Sequence, residues 1–482
     1  MRARVLAALA AEENRKWWTL FAVSFGLFMI MLDNTVVNVA LPTMEKDLHV
    51  TLASLEWVVI AYALTFASLL ITGGKLADLY GRRRIFVFGL VVFTLSSLAC
   101  GLAPTAGFLI GARAVQGVGA ALMNPATLSI IVATFPPKQR GQAIGIWAGV
   151  SALALAIGQL GGGLIVENLN WNWIFFVNIP VGALAIVVSQ FAIRESRDTS
   201  AEQSIDLPGL LTSIGFLFSL SYALVEGNSH GWTSSEILGL FAAAVLLLTA
   251  FVALELRQRL AMLDLSLFRI GAFTGANVVA MLVSLSMFGV FFFVSLYIQN
   301  ILHYSPTQAG AAFLPMVSLI ILIAPLSGRL SDRVGSRWLM GGGMALVAAS
   351  LLLYERVTVH SNYWTLLPAM ILGGVGMAMT MSPMTSAAMG AVPVDKAGVG
   401  SGVLNSFRQV GGSLGIAVMG AIVASYLHHS PRSPLAAQDY VHGLHAGFAV
   451  GAGITFVAAL VAVVTVRTRP EVVREHLAEI AA

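Results

Sequence analysis

Residues 74–84 read GKLADLYGRRR, and residues 328–337 read GRLSDRVGSR. Each stretch follows a long apolar run and sets glycines around an aspartate and basic residues. A second echo lies further along each half: QGVGAALMNP (116–125) against GGVGMAMTMSP (373–383). The offsets, 254 and about 257 residues, agree closely enough that the chain reads as a duplication.

Composition identifies the kind of unit that was duplicated. The 482 residues are 57% hydrophobic and 10% charged, against roughly 25% charged in soluble domains. So few polar residues cannot cover so much apolar surface. A bilayer core about 30 Å thick is crossed by about 20 apolar helical residues. Helices are expected over strands because lipid offers the backbone no hydrogen-bond partners. The 47 glycines suit helices packed closely in lipid.

Fourteen spans are expected, near 17–40, 55–77, 85–104, 106–134, 142–166, 172–193, 208–226, 234–256, 273–298, 308–330, 337–354, 363–390, 399–426 and 446–466. Lys and Arg orient them, because basic residues concentrate on the cytoplasmic side. With the N-terminus inside, inner segments hold 22 basic residues and outer segments hold three, Lys46, Arg356 and Arg432. Arg113 and Arg408 fall within spans. An odd span count would invert the later loops and spoil this asymmetry. The expected organisation is an inner N-terminal segment 1–16, a six-helix bundle 17–193, a linker with two additional helices 194–272, a second six-helix bundle 273–466 and an inner tail 467–482. Duplicated bundles with a midplane site between them are a recurring transporter architecture.

The net charge of +4 is absorbed by this topology and implies no nucleic-acid partner. Residues 1–16 mix four basic residues with Glu12 and Glu13, and the apolar run from Trp17 is too long for a signal peptide, so no cleavable signal is expected. Cys100 is the single cysteine; it excludes an intramolecular disulfide and reads as packing.

Asp33 lies within the first span, in LDNTVVNVALP (32–42). A carboxylate near the bilayer centre costs roughly 2.5–3.5 kcal/mol or more, so such residues face a cavity or a partner. A carboxyl that loads and releases a proton there is what a proton-coupled carrier needs. The bland alternative is an Asp that bonds only its neighbours Asn34 and Thr35. Arg113 is the matching cation: counted from the outer ends of their spans at 1.5 Å per residue, both residues lie roughly 12–14 Å deep. They are expected to face each other across a cavity or through a water, with Gln116 on the same helical face as Arg113. A purely structural ion pair is the competing reading. Asn34, Asn38, Gln116, Asn124, Gln159, Asn405 and Arg408 are further candidates to line a cavity.

In the repeated loop, Gly74 and Gly81 permit close approach and tight turning. Asp78 is placed to pair with a cation or a helix N-terminus. Its recurrence at Asp332 points to a latch, with Arg82 and Arg83 anchoring at the inner surface, whereas Arg84 reads as topology alone. Glu226 reads as a snorkelling residue at an outer span end, and the rings of FFFVSLYIQN (291–300) as lipid-facing by default.

Eight histidines fall in expected outer segments and His476 in the tail, so none is expected within a span. HGLH (442–445) has ligand-like spacing, but no cysteine or carboxylate pair completes a metal set. Gly73-Gly74-Lys75 lacks the flanking pattern of a Walker sequence, so ATP coupling is unsupported. No cofactor is expected.

GKLADLYGRR, RAVQGVGAA (113–121) and the aspartate-bearing first span together resemble the major facilitator superfamily. Fourteen spans, LDNTVVNVALP and WNWIFFVNIPVG (171–182) resemble its fourteen-helix drug:proton antiporter branch. The resemblance covers nearly the whole chain. It implies proton-driven multidrug export by alternating access. It also implies that Asp33 is the proton or cationic-substrate carboxylate, Arg113 a relay member, and Asp78 with Arg82 part of an inner gate. One motif departs from that family: the fifth-span pattern Gly-x-x-x-Gly-Pro-x-x-Gly-Gly reads ALAIGQLGGG (154–163), with Ala154 and Gln159 replacing Gly and Pro while Gly158, Gly162 and Gly163 remain. A kink there must come from glycines or be absent.

The expected function is a proton-coupled carrier of lipophilic or cationic small molecules in the cell membrane, with both termini cytoplasmic and the lipid bilayer, protons and substrate as its partners. An exporter of an endogenous metabolite or lipid uses the same machinery. A transport-silent sensor or scaffold does not need a buried carboxylate with a matching arginine, and no nucleophile–base pair or metal cluster recurs within the spans to support an enzyme.

Overall fold

The computed structural model describes residues 12–197, 206–257, 265–392, 397–429, 433 and 435–466. Among these residues there is no strand. The helices are α1 (Glu12–Leu48), α2 (Leu52–Tyr80), α3 (Arg82–Gly101), α4 (Ala106–Thr134), α5 (Pro137–Asn168), α6 (Trp173–Phe176), α7 (Asn178–Ala192), α8 (Leu207–His230), α9 (Ser235–Arg257), α10 (Gly271–Leu296), α11 (Pro306–Ala312), α12 (Leu314–Val334), α13 (Ser336–Leu353), α14 (Tyr363–Gly390), α15 (Ala397–Tyr426) and α16 (Ala436–Thr465). Among the described residues, thirteen helical segments are long and apolar enough to cross a membrane. The expected span 142–166 lies in α5, which runs unbroken for 32 residues.

Local chemistry sets the helix ends. Thr51 and Thr105 accept hydrogen bonds from the backbone N–H groups of Ser54 and Phe108, capping α2 and α4. Proline sets two breaks. The sixth expected span is divided at Val177, just before Asn178-Ile179-Pro180, and the tenth at Phe313, just before Leu314-Pro315. Pro lacks an N–H and fits the first turn of a helix, and these two prolines each stand in the first turn of a new one, whereas Pro42, Pro125, Pro325, Pro368 and Pro383 lie inside helices.

The chain divides into two compact units. One holds Met1–Leu220 with Gly239–Met262 and Tyr304–Ala311; the other holds Ser221–Leu238, Leu263–His303 and Ala312–Ala482. In the first, Phe66, Phe86, Phe93, Met123 and Ile130 belong to an apolar core drawn from α2, α3 and α4.

The repeat is visible as repeated contacts. A methyl group on Gly117 would lie 2.5 Å from the Tyr62 carbonyl oxygen, and one on Gly374 would lie 2.8 Å from that of Met316. Gly119 meets the backbone N of Phe93 at 2.6 Å, and Gly376 meets that of Val347 at 2.9 Å. Tyr62 and Met316, like Phe93 and Val347, are separated by the 254 residues that separate the two loop motifs. The glycines of the second echo are thus the points where one helix crosses two others at backbone distance, once in each unit.

Two expectations are corrected. α16 begins at Ala436, ten residues before the expected span, so His442 and His445 are helical rather than in a loop. Hydropathy marks the apolar stretch, whereas the helix continues into polar residues. Phe291, Phe292, Phe293 and Tyr297 are at most 4% exposed, so these rings fill the second unit's core instead of meeting lipid. As expected of an end given to within a few residues, α8 runs to His230, one turn past Glu226, whose carboxylate accepts from Ser229 Oγ at 2.8 Å.

Candidate functional site

α1 and α4 bring Asp33 and Arg113 together without an intervening water. Arg113 Nη1 donates to Asp33 Oδ2 at 2.6 Å, and the residues are 0% and 1% exposed. Gln116, one helical turn beyond Arg113, closes a triangle: its Oε1 accepts from Arg113 Nη1 at 2.7 Å and its Nε2 donates to Asp33 Oδ1 at 3.0 Å. The carboxylate bonds neither Asn34 nor Thr35; Thr35 Oγ1 instead donates to the Leu32 carbonyl.

Around this triangle lies a shell that sequence alone does not reveal. Arg113 Nε donates to the Val58 carbonyl at 3.1 Å, and the guanidinium carbon sits 4.2 Å from the centre of the Tyr62 ring. Gln116 Nε2 and Asn178 Nδ2 both donate to Ser97 Oγ, which donates to the Phe175 carbonyl. The Cys100 thiol donates to Gln116 Oε1 at 3.6 Å. A buried ion pair persists when its remaining donors and acceptors are also satisfied, and here they largely are. Chemically, the arrangement is a carboxylate sealed from solvent whose charge is matched by one guanidinium. Protonating it would release Arg113 from its partner. Glu56, also buried at 2% exposure, sits at the start of α2, where the sequence reads only a span boundary.

The GKLADLYGRRR turn has its own network. Gly81 has φ +111° and Gly335, its counterpart in the repeat, +91°, a region that glycine enters without steric cost. Asp78 Oδ1 accepts from Arg82 Nε at 3.0 Å and pairs with Arg82 Nη2 at 2.9 Å. The unexpected member is Glu195, after α7. Its carboxylate accepts from the backbone N–H groups of Arg83 and Arg84 at 3.1 and 3.2 Å, capping α3. A methyl group on Gly81 would lie 2.6 Å from that carboxyl. Arg83 Nη1 donates to the Ile193 carbonyl. Gly74 lies against Pro125. The side chain of Asp332 lies outside the described residues.

The fifth-span glycines serve close approach. Gly158 meets Thr35, Gly162 meets Val36, and Gly163 would place a methyl 2.7 Å from Thr307 Cα. Beyond them, Glu167 accepts from Ser305 Oγ at 2.8 Å and Thr307 N at 3.0 Å. Hydrogen bonds from Thr307 and Ser305 hold its carboxyl below the usual glutamate range. Gln159 is fully buried, and both polar atoms of its amide lack a protein partner.

The other candidates are scattered. Asn38 is buried and donates to the Asn34 carbonyl. Asn124 is 8% exposed. On α15, Asn405 donates to the Ser401 carbonyl and Arg408 is partly exposed. Among the described residues no three His, Cys, Asp or Glu side chains form a metal-binding group. His445 instead bonds the Val357 carbonyl, and His429 pairs with Asp439 at 2.9 Å.

Comparison with known proteins agrees with this architecture. The chain is 38% identical over 479 residues to the puromycin resistance protein pur8 of Streptomyces alboniger, covering 97% of this chain and 95% of that relative. It is 37% identical to the tetracenomycin C resistance and export protein of Streptomyces glaucescens, covering 86% and 77%. A bacterial homologue of the human lysosomal transporter Spinster, solved in an inward-facing, unoccupied conformation, shares the fold with TM-score 0.67 at 17% identity over 94% of this chain and 97% of that one. The sequence model described as Major Facilitator Superfamily matches residues 23–415 and 276–481. The chain belongs to the Major Facilitator Superfamily.

Proposed function

We propose that this protein exports lipophilic small molecules across the cell membrane by alternating access, driven by protons moving the opposite way. The export reading is supported by relatives named for antibiotic resistance or export, which match over most of the chain. The proton reading rests on one observation: Asp33 is a carboxylate sealed inside the first unit and bonded to Arg113 and Gln116. Protonation of Asp33 frees Arg113 and Gln116 to rearrange, and deprotonation draws them back. That gives one titratable group two packings to choose between, which coupling requires.

In this reading the chain has fourteen spans, as two six-helix bundles, 17–193 and 273–466, with an extra pair between them in the sequence. Both termini are cytoplasmic, and the partners are substrate, protons and the bilayer. Asp78, Arg82, Gly74, Gly81 and Glu195 form an inner gate with Arg83. Asn34, Asn38, Gln116, Asn124, Gln159 and Asn405 are lining candidates. An endogenous metabolite remains the alternative cargo, since the same machinery would carry it.

The test is uptake into inverted vesicles over a panel of lipophilic compounds with and without an imposed proton gradient. Accumulation that collapses with the gradient supports the proposal. Gradient-independent movement of every compound contradicts it.

A further inference from the structure

Charge is distributed unequally between the two repeats. In the first, the intramembrane charges Asp33 and Arg113 neutralise each other and are shut away from solvent. In the second, Arg408 stands within α15, eleven residues past its first residue, Ala397. At 1.5 Å per residue that is about 16 Å along the helix. Among the described residues Arg408 has no hydrogen bond, ion pair or ring contact, and its side chain is partly exposed. The adjacent Gln409 is 8% exposed, and its Nε2 has no acceptor.

The helical face that carries Arg408 is fixed by its glycines. Gly411, Gly412 and Gly415, three, four and seven residues on, press against Met281, Phe288 and Leu285 of α10. Residues at those spacings share a face, so Arg408 is held beside α10 and not turned to lipid. A guanidinium offers five N–H donors in a fixed fork and accepts nothing. The Gln409 amide nitrogen adds donors. A buried donor left unmade is costly, and an unanswered cation within a span more so. Donors without acceptors at this depth call for a ligand that supplies the acceptors. A carboxylate fits the fork with two parallel bonds.

We propose that Arg408, with Gln409 next to it in sequence, is the docking point for the carboxylate of an otherwise lipophilic substrate. The proposal rests on the export reading for how such a substrate arrives, but the binding it predicts is measurable without transport.

The experiment is fluorescence anisotropy in nanodiscs of zwitterionic lipid, titrating the protein against fluorescein, which is anionic, and rhodamine 6G, a cation built on the same ring system. Wild-type protein should bind fluorescein, and Arg408→Gln should weaken that binding by about tenfold or more. Arg408→Lys should fall between them, because it keeps the charge and loses the fork. Gln409→Leu should weaken fluorescein binding less than Arg408→Gln does. Rhodamine binding and the melting temperature should stay at wild-type values in all three variants. Should Arg408→Gln not fold, the selective loss of fluorescein in Arg408→Lys decides. Absent fluorescein binding by wild type, unchanged binding in Arg408→Gln, or equal loss of both dyes overturns the proposal. Displacement of fluorescein when anionic lipid is added to the discs also overturns it, in favour of a lipid headgroup site. Failure of the export reading would look different: no gradient-driven efflux, with the dye preference intact.

Discussion

Met370 holds in the second repeat the place that Arg113 holds in the first. Each lies four residues before the glycine, Gly374 or Gly117, that crosses the neighbouring helix at backbone distance. Met370 is 0% exposed, and the position equivalent to Asp33 is Met287. The positions that carry an ion pair in the first repeat therefore carry two methionines in the second.

That pairing predicts a double-mutant result. Asp33→Met alone strands a buried guanidinium and should destabilise the protein by about 3–5 kcal/mol. Arg113→Met alone should cost a similar amount or less, because a carboxyl can take up a proton. The combined variant should recover most of the loss while abolishing coupling. Thermal and denaturant unfolding in detergent checks this, and a double variant as unstable as the sum of the singles would refute it.

The crossing glycines predict a contrast along one helix. Gly119→Val forces a side chain onto the Phe93 backbone, where nothing can yield, so it should cost about 1–3 kcal/mol or more. Gly111 has open space where its Cβ would stand. Gly111→Ala should be neutral, or stabilising by up to about 1 kcal/mol through helix propensity. Unfolding midpoints of the two variants measure it.

At the repeated loop, Asp78→Asn should impair transport while the protein remains folded, because the Arg82 pair is partly exposed and a gate needs the charge more than the fold does. Asp332→Asn should be milder, since the second copy lacks a counterpart of the Arg82–Arg84 run. Gly81→Ala should be the most damaging, combining a positive φ with a collision against Glu195. Vesicle transport rates at matched protein levels rank the three. Undiminished transport by both aspartate variants would remove the gate role.

Topology has a direct test. Impermeant thiol reagents on single-cysteine variants should modify residues 228–231 and 428–435 from outside, and residues 138–140 and 396 only after permeabilisation. Inside-only modification at 428–435 would overturn the fourteen-span arrangement.

The sequence made the repeats, the spans and the Asp33–Arg113 encounter legible because each follows from periodicity. Apolar length gives spans, helical rise gives equal depth, and a constant offset gives duplication. It did not reveal Glu195, the Val58 carbonyl or the Tyr62 ring, because their roles depend on which helices adjoin, and a lone glutamate after a span looks like any loop residue. Hydropathy also placed the start of α16 too late, since a helix can extend beyond its apolar stretch. Gln159, in the family's proline position, sits in an unbroken α5 where glycines provide closeness and not a turn.

The central claim is that Asp33 carries the proton. Asp33→Asn keeps an oxygen to accept from Arg113, and the Val58 carbonyl, Gln116 and the Tyr62 ring remain around the guanidinium. The fold should therefore survive, with less loss than Asp33→Met. Asp33→Glu should retain partial function, since the carboxyl persists but is displaced by a methylene. The decisive measurement is substrate efflux together with substrate-induced proton release by Asp33→Asn in proteoliposomes. Loss of uphill, gradient-driven efflux and of proton release, with downhill exchange of a neutral substrate retained, is the predicted result. Wild-type uphill transport by that variant would contradict the account.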